Sequence, residues 1–590
     1  MAEVPRDALP PFSRRFLEAE EKLTLIGSGA LGGKAMGLRD AREALAARPA
    51  SLTFERFDIA VPTLTVIGTD AFDAFLRQNS LADLALSGAS DHRIALGFQK
   101  GDLPAELLGD LWELIRGVRA PLAVRSSSLL EDALEHAFAG VYATKMIPNN
   151  QPDTETRFRK LAEAIKFVYA STFFSEARGY RERCGQRSED EKMAVIIQEV
   201  VGLRHGPRYY PDLSAVARSY NFYPVGHASR RDGVVDLALG LGKTIVDGGR
   251  CWTYCPRYPS AGPPFASAAD TAKQTQTVFW AVNMGKPPAY DPINETEYMV
   301  LESLDKADDD STLRRLASTY DPGSDRLSLG TGARGARVLN FAPLLQFDDW
   351  PFNDAVRGLL ELFEARLGEP VEIELALTFD DEQRRARLGF LQVRPMALVK
   401  DGVSVSEQDL QDPRAVVASS HVMGGGSVPG VRDVVFLKPD AFDLASSRAI
   451  ADEVGQLNRE LVEAGRAYLL IGFGRWGSAD PWLGVPVAWD QISGARVIVE
   501  AALPELTIDM SQGAHFFHNL LSLRIPYFSA PRGGEARVAW AWLEGLPRQV
   551  DGRWACRVSM PEALEVRVDA QTGRGVVLRP APAAGGSEGR

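Results

Sequence analysis

Cysteine is scarce in this chain: four in 590 residues, Cys184, Cys251, Cys255 and Cys556. So few thiols exclude a disulfide framework and fit a reducing compartment. Cys251 and Cys255 have no second Cys or His pair nearby, which falls short of a zinc site. Positive charge is also short, with 66 Lys and Arg against 78 Asp and Glu for a net charge of -12. That balance argues against broad capture of nucleic acid or of an anionic membrane, and it leaves small molecules or proteins as partners. No stretch approaches the ~20 apolar residues of a membrane span. Met1 to Leu25 carries Arg14, Arg15 and several Glu where a secretory signal has an apolar core. A cytoplasmic location is therefore expected. What is present is ordinary globular composition, 45% hydrophobic and 24% charged, in a chain long enough for several compact units.

Apolar residues at helical spacing predict helices over Phe16 to Leu23, Met36 to Ala47 and Glu155 to Ser175. Runs rich in β-branched residues predict strands over Ile59 to Ile67, Leu122 to Arg125, Met193 to Val201, Val234 to Leu239, Val371 to Phe379 and Leu388 to Val393. The class is therefore α/β or α+β. Polar residues from Lys400 to Arg414 interrupt the pattern, and Gly424-Gly425-Gly426 begins something new, which places a domain boundary near residue 400.

Two segments look like phosphate-binding P-loops and fail on spacing. Lys34 follows two glycines, and Gly242-Lys243-Thr244 resembles the end of such a loop, but Ser28 and Leu237 occupy the positions that need an upstream glycine. Ala35 also stands where a hydroxyl is required. The glycine-rich turn before Lys34 nevertheless offers free backbone N–H groups at a helix start, with a lysine able to reach a phosphate. It reads equally well as a helix-capping loop. The run Leu122-Ala123-Val124-Arg125-Ser126-Ser127-Ser128 places an arginine and three hydroxyls at a strand end, a pattern typical of oxyanion binding, with a structural salt bridge as the plainer reading.

Taken in order, Gly32-Gly33-Lys34, Val61-Pro62, Arg125-Ser126-Ser127-Ser128 with Glu131-Asp132 and Phe138-Ala139-Gly140, Ile197-Gln198-Glu199, Gly240-Leu241-Gly242 and Leu391-Gln392-Val393-Arg394-Pro395 resemble the nucleotide-binding domain of the phosphoenolpyruvate synthase and pyruvate phosphate dikinase family. The resemblance implies an ATP-grasp-like, two-lobed domain over residues 1–400, with lobes at about 1–205 and 206–400. It implies Mg-ATP held by Gly32, Gly33, Lys34, Arg125, Gln198, Glu199, Glu374, Gln392 and Arg394. Lys34 and Arg125 would neutralise charge on the transferring phosphoryl group. Glu374 and Gln392 would supply hard oxygens to Mg²⁺. For Glu374 the plainer reading is a solvated strand face, since Glu372 alternates with it. Gln198 and Glu199 match the family's hinge, where backbone and carboxylate groups meet adenine and ribose. Lys243 departs from the family, whose members usually carry glutamate there.

Residues 401–580 resemble a diverged form of the family's swivelling phosphohistidine domain, and 581–590 is expected to be a disordered tail. The spacing from His515 to Ile525-Pro526 is that of the family's phosphohistidine segment, and Gly424 to Gly430 resembles the glycine-rich start of that domain. His515 is the implied relay, because a neutral imidazole is nucleophilic near pH 7. Against that role, Gly513-Ala514 replaces the usual hydroxyl or thiol residues, and Phe516 and Phe517 replace small ones, so a core-packed histidine is the competing reading. His518 is a helical neighbour if the segment is helical. The loop Ile471 to Trp482 combines glycines, Arg475, Trp476, Asp480 and Trp482, and reads either as an anionic-ligand loop or as an aromatic core turn.

The expected activity is ATP-dependent phosphotransfer, of phosphoryl or pyrophosphoryl, to an unidentified small molecule or protein. A non-catalytic ATP-binding regulator is the alternative, and an acyl-phosphate ligase a third. The family's phosphoenolpyruvate/pyruvate barrel needs ~250 residues, and this chain is expected to lack it.

Overall fold

The computed structural model describes residues 9–13, 15, 22–131, 138–263, 265–347, 349–399, 402–503, 512–531 and 536–580. They form two compact units, one of residues up to Val246 with Arg250–Pro395, the other of Asp247–Gly249 with Met396 onward. Among the described residues no helix is long and apolar enough to cross a membrane, and all four cysteines are free thiols.

The elements of unit 1 that matter here are β1 (Leu23–Ile26), α1 (Gly33–Ala46), β2 (Phe57–Ala60), β3 (Leu64–Ile67), β4 (Leu122–Ser128), β5 (Thr144–Ile147), α2 (Thr154–Ser171), β6 (Met193–Glu199), β7 (Leu213–Arg218), β8 (Val234–Ala238), β9 (Trp252–Tyr254), β10 (Val371–Asp380) and β11 (Arg385–Pro395). The first sheet runs β1-β3-β6-β4-β5 and the second β9-β8-β7-β10-β11-β2. Two smaller sheets lie within residues 203–303 and 317–339. One large core of α1, both sheets and the helix Phe352–Leu367 joins them, centred on side chains such as Leu38, Leu64, Leu237, Ile373 and Phe390.

Local chemistry sets these elements. Helix α2 starts at Asp153, whose carboxylate accepts from Thr156 N, and it buries Leu161, Ala164, Ile165 and Val168 at helical spacing. Helix α1 has no side-chain cap of its own. Its start is satisfied instead by strand β4, where Ser127 Oγ accepts from Ala35 N at 3.0 Å and donates to Leu31 O at 2.8 Å. The glycine at its N-cap, Gly32, has φ +74°, and a Cβ there would lie 1.8 Å from Ser127 O. Only glycine permits that approach.

Three expectations differ from the structure. Leu23 opens strand β1 rather than closing a helix, and residues 16–21 of that expected helix lie outside the described residues. The run Ile59 to Ile67 is two strands in different sheets: β3 pairs with β1 and β6, while β2 pairs in parallel with β11. One strand from before residue 205 thus completes the second sheet. Glu372 does not face solvent, for it is 1% exposed. The expected tail, 581–590, is also outside the described residues.

In unit 2, β12 (Asp433–Leu437), α3 (Ser447–Glu463), β13 (Tyr468–Phe473), β14 (Ala495–Ala501), α4 (His515–Ser522) and β15 (Tyr527–Ala530) form the heart of a seven-stranded sheet. The four strands are parallel, in the order β12-β13-β14-β15. A five-stranded sheet shares their core through Val417, Val568 and Val577.

Candidate active site

The glycine-rich turn brings Lys34 onto strand β4. Its Nζ lies 2.8 Å from Glu131 Oε1 and 3.1 Å from Ser126 Oγ, with the two charged side chains 8% and 0% exposed. Glu131 is fully engaged: Ser126 Oγ donates to Oε1 at 2.8 Å and Ser128 N to Oε2 at 2.8 Å. The lysine is therefore oriented by a buried carboxylate that follows the three serines in sequence.

Arg125, the residue before Ser126, reaches the second sheet. Its Nη1 donates to Gln198 Oε1 at 3.1 Å and to Leu391 O at 2.9 Å, and Nη2 donates to Gln392 Oε1 at 2.6 Å. Glu374 Oε2 stands 4.0 Å from the same Nη2. Glu374 and Gln392 face each other across β10 and β11, and the register slips just after Glu374. Such a bulge re-aims the side chain beside it. Arg394 completes the group, with Nη2 3.5 Å from Glu374 Oε1 and Nε donating to Glu372 Oε1 at 2.7 Å. Arg125 thus meets Gln198, Gln392 and Glu374, residues that the resemblance assigns to the nucleotide and metal.

At the hinge, Gln198 is buried, and its Nε2 has no hydrogen-bond partner among the described residues. Burial raises the Glu199 carboxyl above its ordinary range, with Arg387 and Lys22 opposing the shift. The backbone N–H groups of Glu199 and Val200 are already donated to Thr63 O and Pro121 O, each at 2.9 Å. Lys243 stands 3.9 Å from Glu295. No group of three or more metal-ligating His, Cys, Asp or Glu residues occurs among the described residues. A divalent ion at Glu374 and Gln392 would therefore take its remaining oxygens from phosphates and water, which is the usual way Mg²⁺ is held.

In unit 2, His515 opens α4 directly after Ala514 and is partly exposed. His518 lies one turn along and is buried at 7% exposure. Phe516 stacks on Trp489 at 5.0 Å, and Phe517 meets Tyr527 edge-on at 5.0 Å, so the two phenylalanines are core anchors. The Ile471 to Trp482 loop divides between its two readings: Trp476 is buried and donates to Val499 O at 3.1 Å, whereas Trp482 is 64% exposed. Arg475 is buried and donates to Gly248 O at 2.8 Å. Ser511 lies outside the described residues.

Comparison with known proteins places this chain in a family. The family described as the pyruvate phosphate dikinase AMP/ATP-binding domain matches residues 28–414. An uncharacterized phosphotransferase, YvkC, of Bacillus subtilis is 27% identical over 237 residues, 40% of this chain and 24% of its own length. A rifampicin phosphotransferase of Streptomyces sviceus is 27% identical over 208 residues, 32% of this chain and 22% of its own. A probable phosphoenolpyruvate synthase of Methanocaldococcus jannaschii is 24% identical over 214 residues, 32% of this chain and 16% of its own. Each match spans under a quarter of the relative, while the family match takes in every assigned residue of unit 1. The chain belongs to the pyruvate phosphate dikinase AMP/ATP-binding domain family.

Proposed function

We propose that this chain is an ATP-dependent phosphotransferase whose unit 1 is an ATP-grasp-like clamp for Mg-ATP and whose unit 2 carries the relay histidine. The observation that carries the reading is that Arg125, on β4, reaches Gln198, Gln392 and the vicinity of Glu374, while Lys34 packs on the next residue of that strand, Ser126. Arg125 and Lys34 are the cations that bind the triphosphate and offset the charge that develops on its oxygens during transfer. Glu374 and Gln392 would hold Mg²⁺, whose charge would add to the neutralisation of the phosphates. Arg394 orients Glu374, and the carboxylate and amide at Glu199 and Gln198 meet the nucleoside.

His515 of the swivelling unit 2 accepts the phosphoryl or pyrophosphoryl group and passes it to a small-molecule or protein acceptor. Its place at the first position of α4 supports this role, because a helix start favours the negative charge that the transferred group brings. Splitting one transfer into two is what a covalent relay contributes.

Phosphorus NMR of Mg-ATP with the protein tests the reading. AMP, together with an acid-labile protein phosphate that disappears in His515→Ala, is the expected result. Tight binding with no turnover would make the chain a regulator, and ADP formed only with a carboxylate would make it a ligase.

A further inference from the structure

A line of charge crosses the second sheet of unit 1. Asp236 on β8, Arg218 on β7, Glu372 on β10 and Arg394 on β11 sit on four successive strands, alternating in sign. Arg218 Nη1 lies 3.1 Å from Asp236 Oδ2, and its Nη2 lies 2.6 Å from Glu372 Oε2. Glu372 Oε1 in turn accepts from Arg394 Nε at 2.7 Å and also from its Nη2. The register places Arg218 opposite Glu372 and Glu372 opposite Arg394. On the far strand, β9, Thr253 Oγ1 donates to Asp236 Oδ1 at 2.6 Å, directly across the ladder. All four charged side chains are 0–2% exposed.

Buried charges of this kind are a poor way to hold strands together, because desolvation cancels most of their attraction, and apolar residues of similar size serve as well or better. Their geometry has a different consequence. Arg218 is gripped by a carboxylate at each end of its guanidinium fork, and it holds Glu372 against the Nε and Nη2 edge of Arg394, whose Nη2 meets Glu374 Oε1 at 3.5 Å. We infer that Thr253, Asp236, Arg218 and Glu372 are positioning residues for the nucleotide site: the ladder fixes Arg394, and Arg394 fixes Glu374. Resting on the proposed function, the inference extends the Mg-ATP site to β7, β8 and β9, strands that carry none of its assigned residues.

Calorimetric titration of Mg-ATP into the full chain at low temperature tests it, with wild type, Asp236→Asn, Thr253→Val, Glu372→Gln and Glu372→Asp alongside, and melting temperatures recorded for each. The dissociation constant should rise about three- to tenfold in Asp236→Asn, in line with coupling carried through a packed network. It should rise less in Thr253→Val and be partly restored in Glu372→Asp relative to Glu372→Gln. A purely structural ladder would lower the melting temperature and leave the dissociation constant of the folded protein unchanged, which overturns the inference. Should Asp236→Asn not fold, Thr253→Val decides by the same criterion. Failure of wild type itself to bind Mg-ATP would instead remove the proposed function, and the ladder's role with it.

Discussion

Arg125 Nη2 donates to Gln392 Oε1 at 2.6 Å and stands 4.0 Å from Glu374 Oε2. In the proposed site those two oxygens belong to the metal, so without nucleotide a guanidinium stands over the cation's ligands. A triphosphate offers Arg125 stronger acceptors and frees them. Metal should therefore bind weakly alone and tightly with ATP. Mn²⁺ binding followed by electron paramagnetic resonance checks this, with equal affinity in both conditions counting against it. Arg125→Gln should bind free Mn²⁺ more tightly than wild type and ATP at least roughly tenfold more weakly, since a charge-assisted contact is worth about 1.5–3 kcal/mol.

The Lys34–Glu131 pair is buried on both sides. Glu131→Ala removes one partner and leaves an ammonium without its carboxylate, a loss of roughly 3–5 kcal/mol when a buried pair is broken this way. Urea denaturation should show it as a lower midpoint with an unchanged slope. Lys34→Met should be as disruptive to nucleotide binding, whereas a substitution of an exposed lysine such as Lys286 should alter neither.

Gly32→Ala is a sharper test of the turn. The new Cβ meets the Ser127 carbonyl at 1.8 Å and requires a left-handed backbone. Relief requires the turn to leave β4, taking Lys34 with it. Loss of ATP affinity with little change in unit 2, read by hydrogen exchange, is the expected pattern.

Much of this site was visible in the residues themselves. Arg125 announced its place by following a β-rich run and preceding three hydroxyls, and the glycines before Lys34 announced a tight turn into a helix. The ladder was not visible, because Arg218 and Asp236 look like ordinary polar positions until partners far along the chain are paired with them. Strand periodicity says which residues share a face, never which strand lies alongside. The same gap explains Ile59 to Ile67, where Val61-Pro62-Thr63 divides one apolar run between two sheets. Glu131 was seen as a neighbour of the serines, but its grip on Lys34 depends on contacts between distant segments.

Asp212 gives the stability a defined pH dependence. Burial pushes its carboxyl up to about 7, against one backbone hydrogen bond from Phe379 N at 2.8 Å. An acid whose folded value lies above its unfolded value favours the folded state while protonated. Its penalty is absent below about pH 4, grows as pH rises to about 7, and is constant above, at no more than about 4 kcal/mol. Asp212→Asn keeps an acceptor for Phe379 and removes the titration. Its gain in melting temperature over wild type should therefore widen between pH 4 and 7 and then level off; a gain independent of pH would assign the effect to packing.

His515 and His518 share one helix and should part company in experiment. His515 is partly exposed at the start of α4, so His515→Ala should melt closer to wild type than a core substitution does and carry no acid-labile label from γ- or β-labelled ATP. His518 is 7% exposed among Phe517, Asn519 and Leu521, which are buried on the same helix. His518→Ala leaves a cavity where an imidazole packed, and large-to-small changes in a core cost about 2–5 kcal/mol. It should lower the melting temperature while the folded fraction still takes label. The opposite assignment, label lost in His518→Ala at full stability and kept in His515→Ala, would move the relay one turn along α4 and make His515 the neighbour that merely lies beside it.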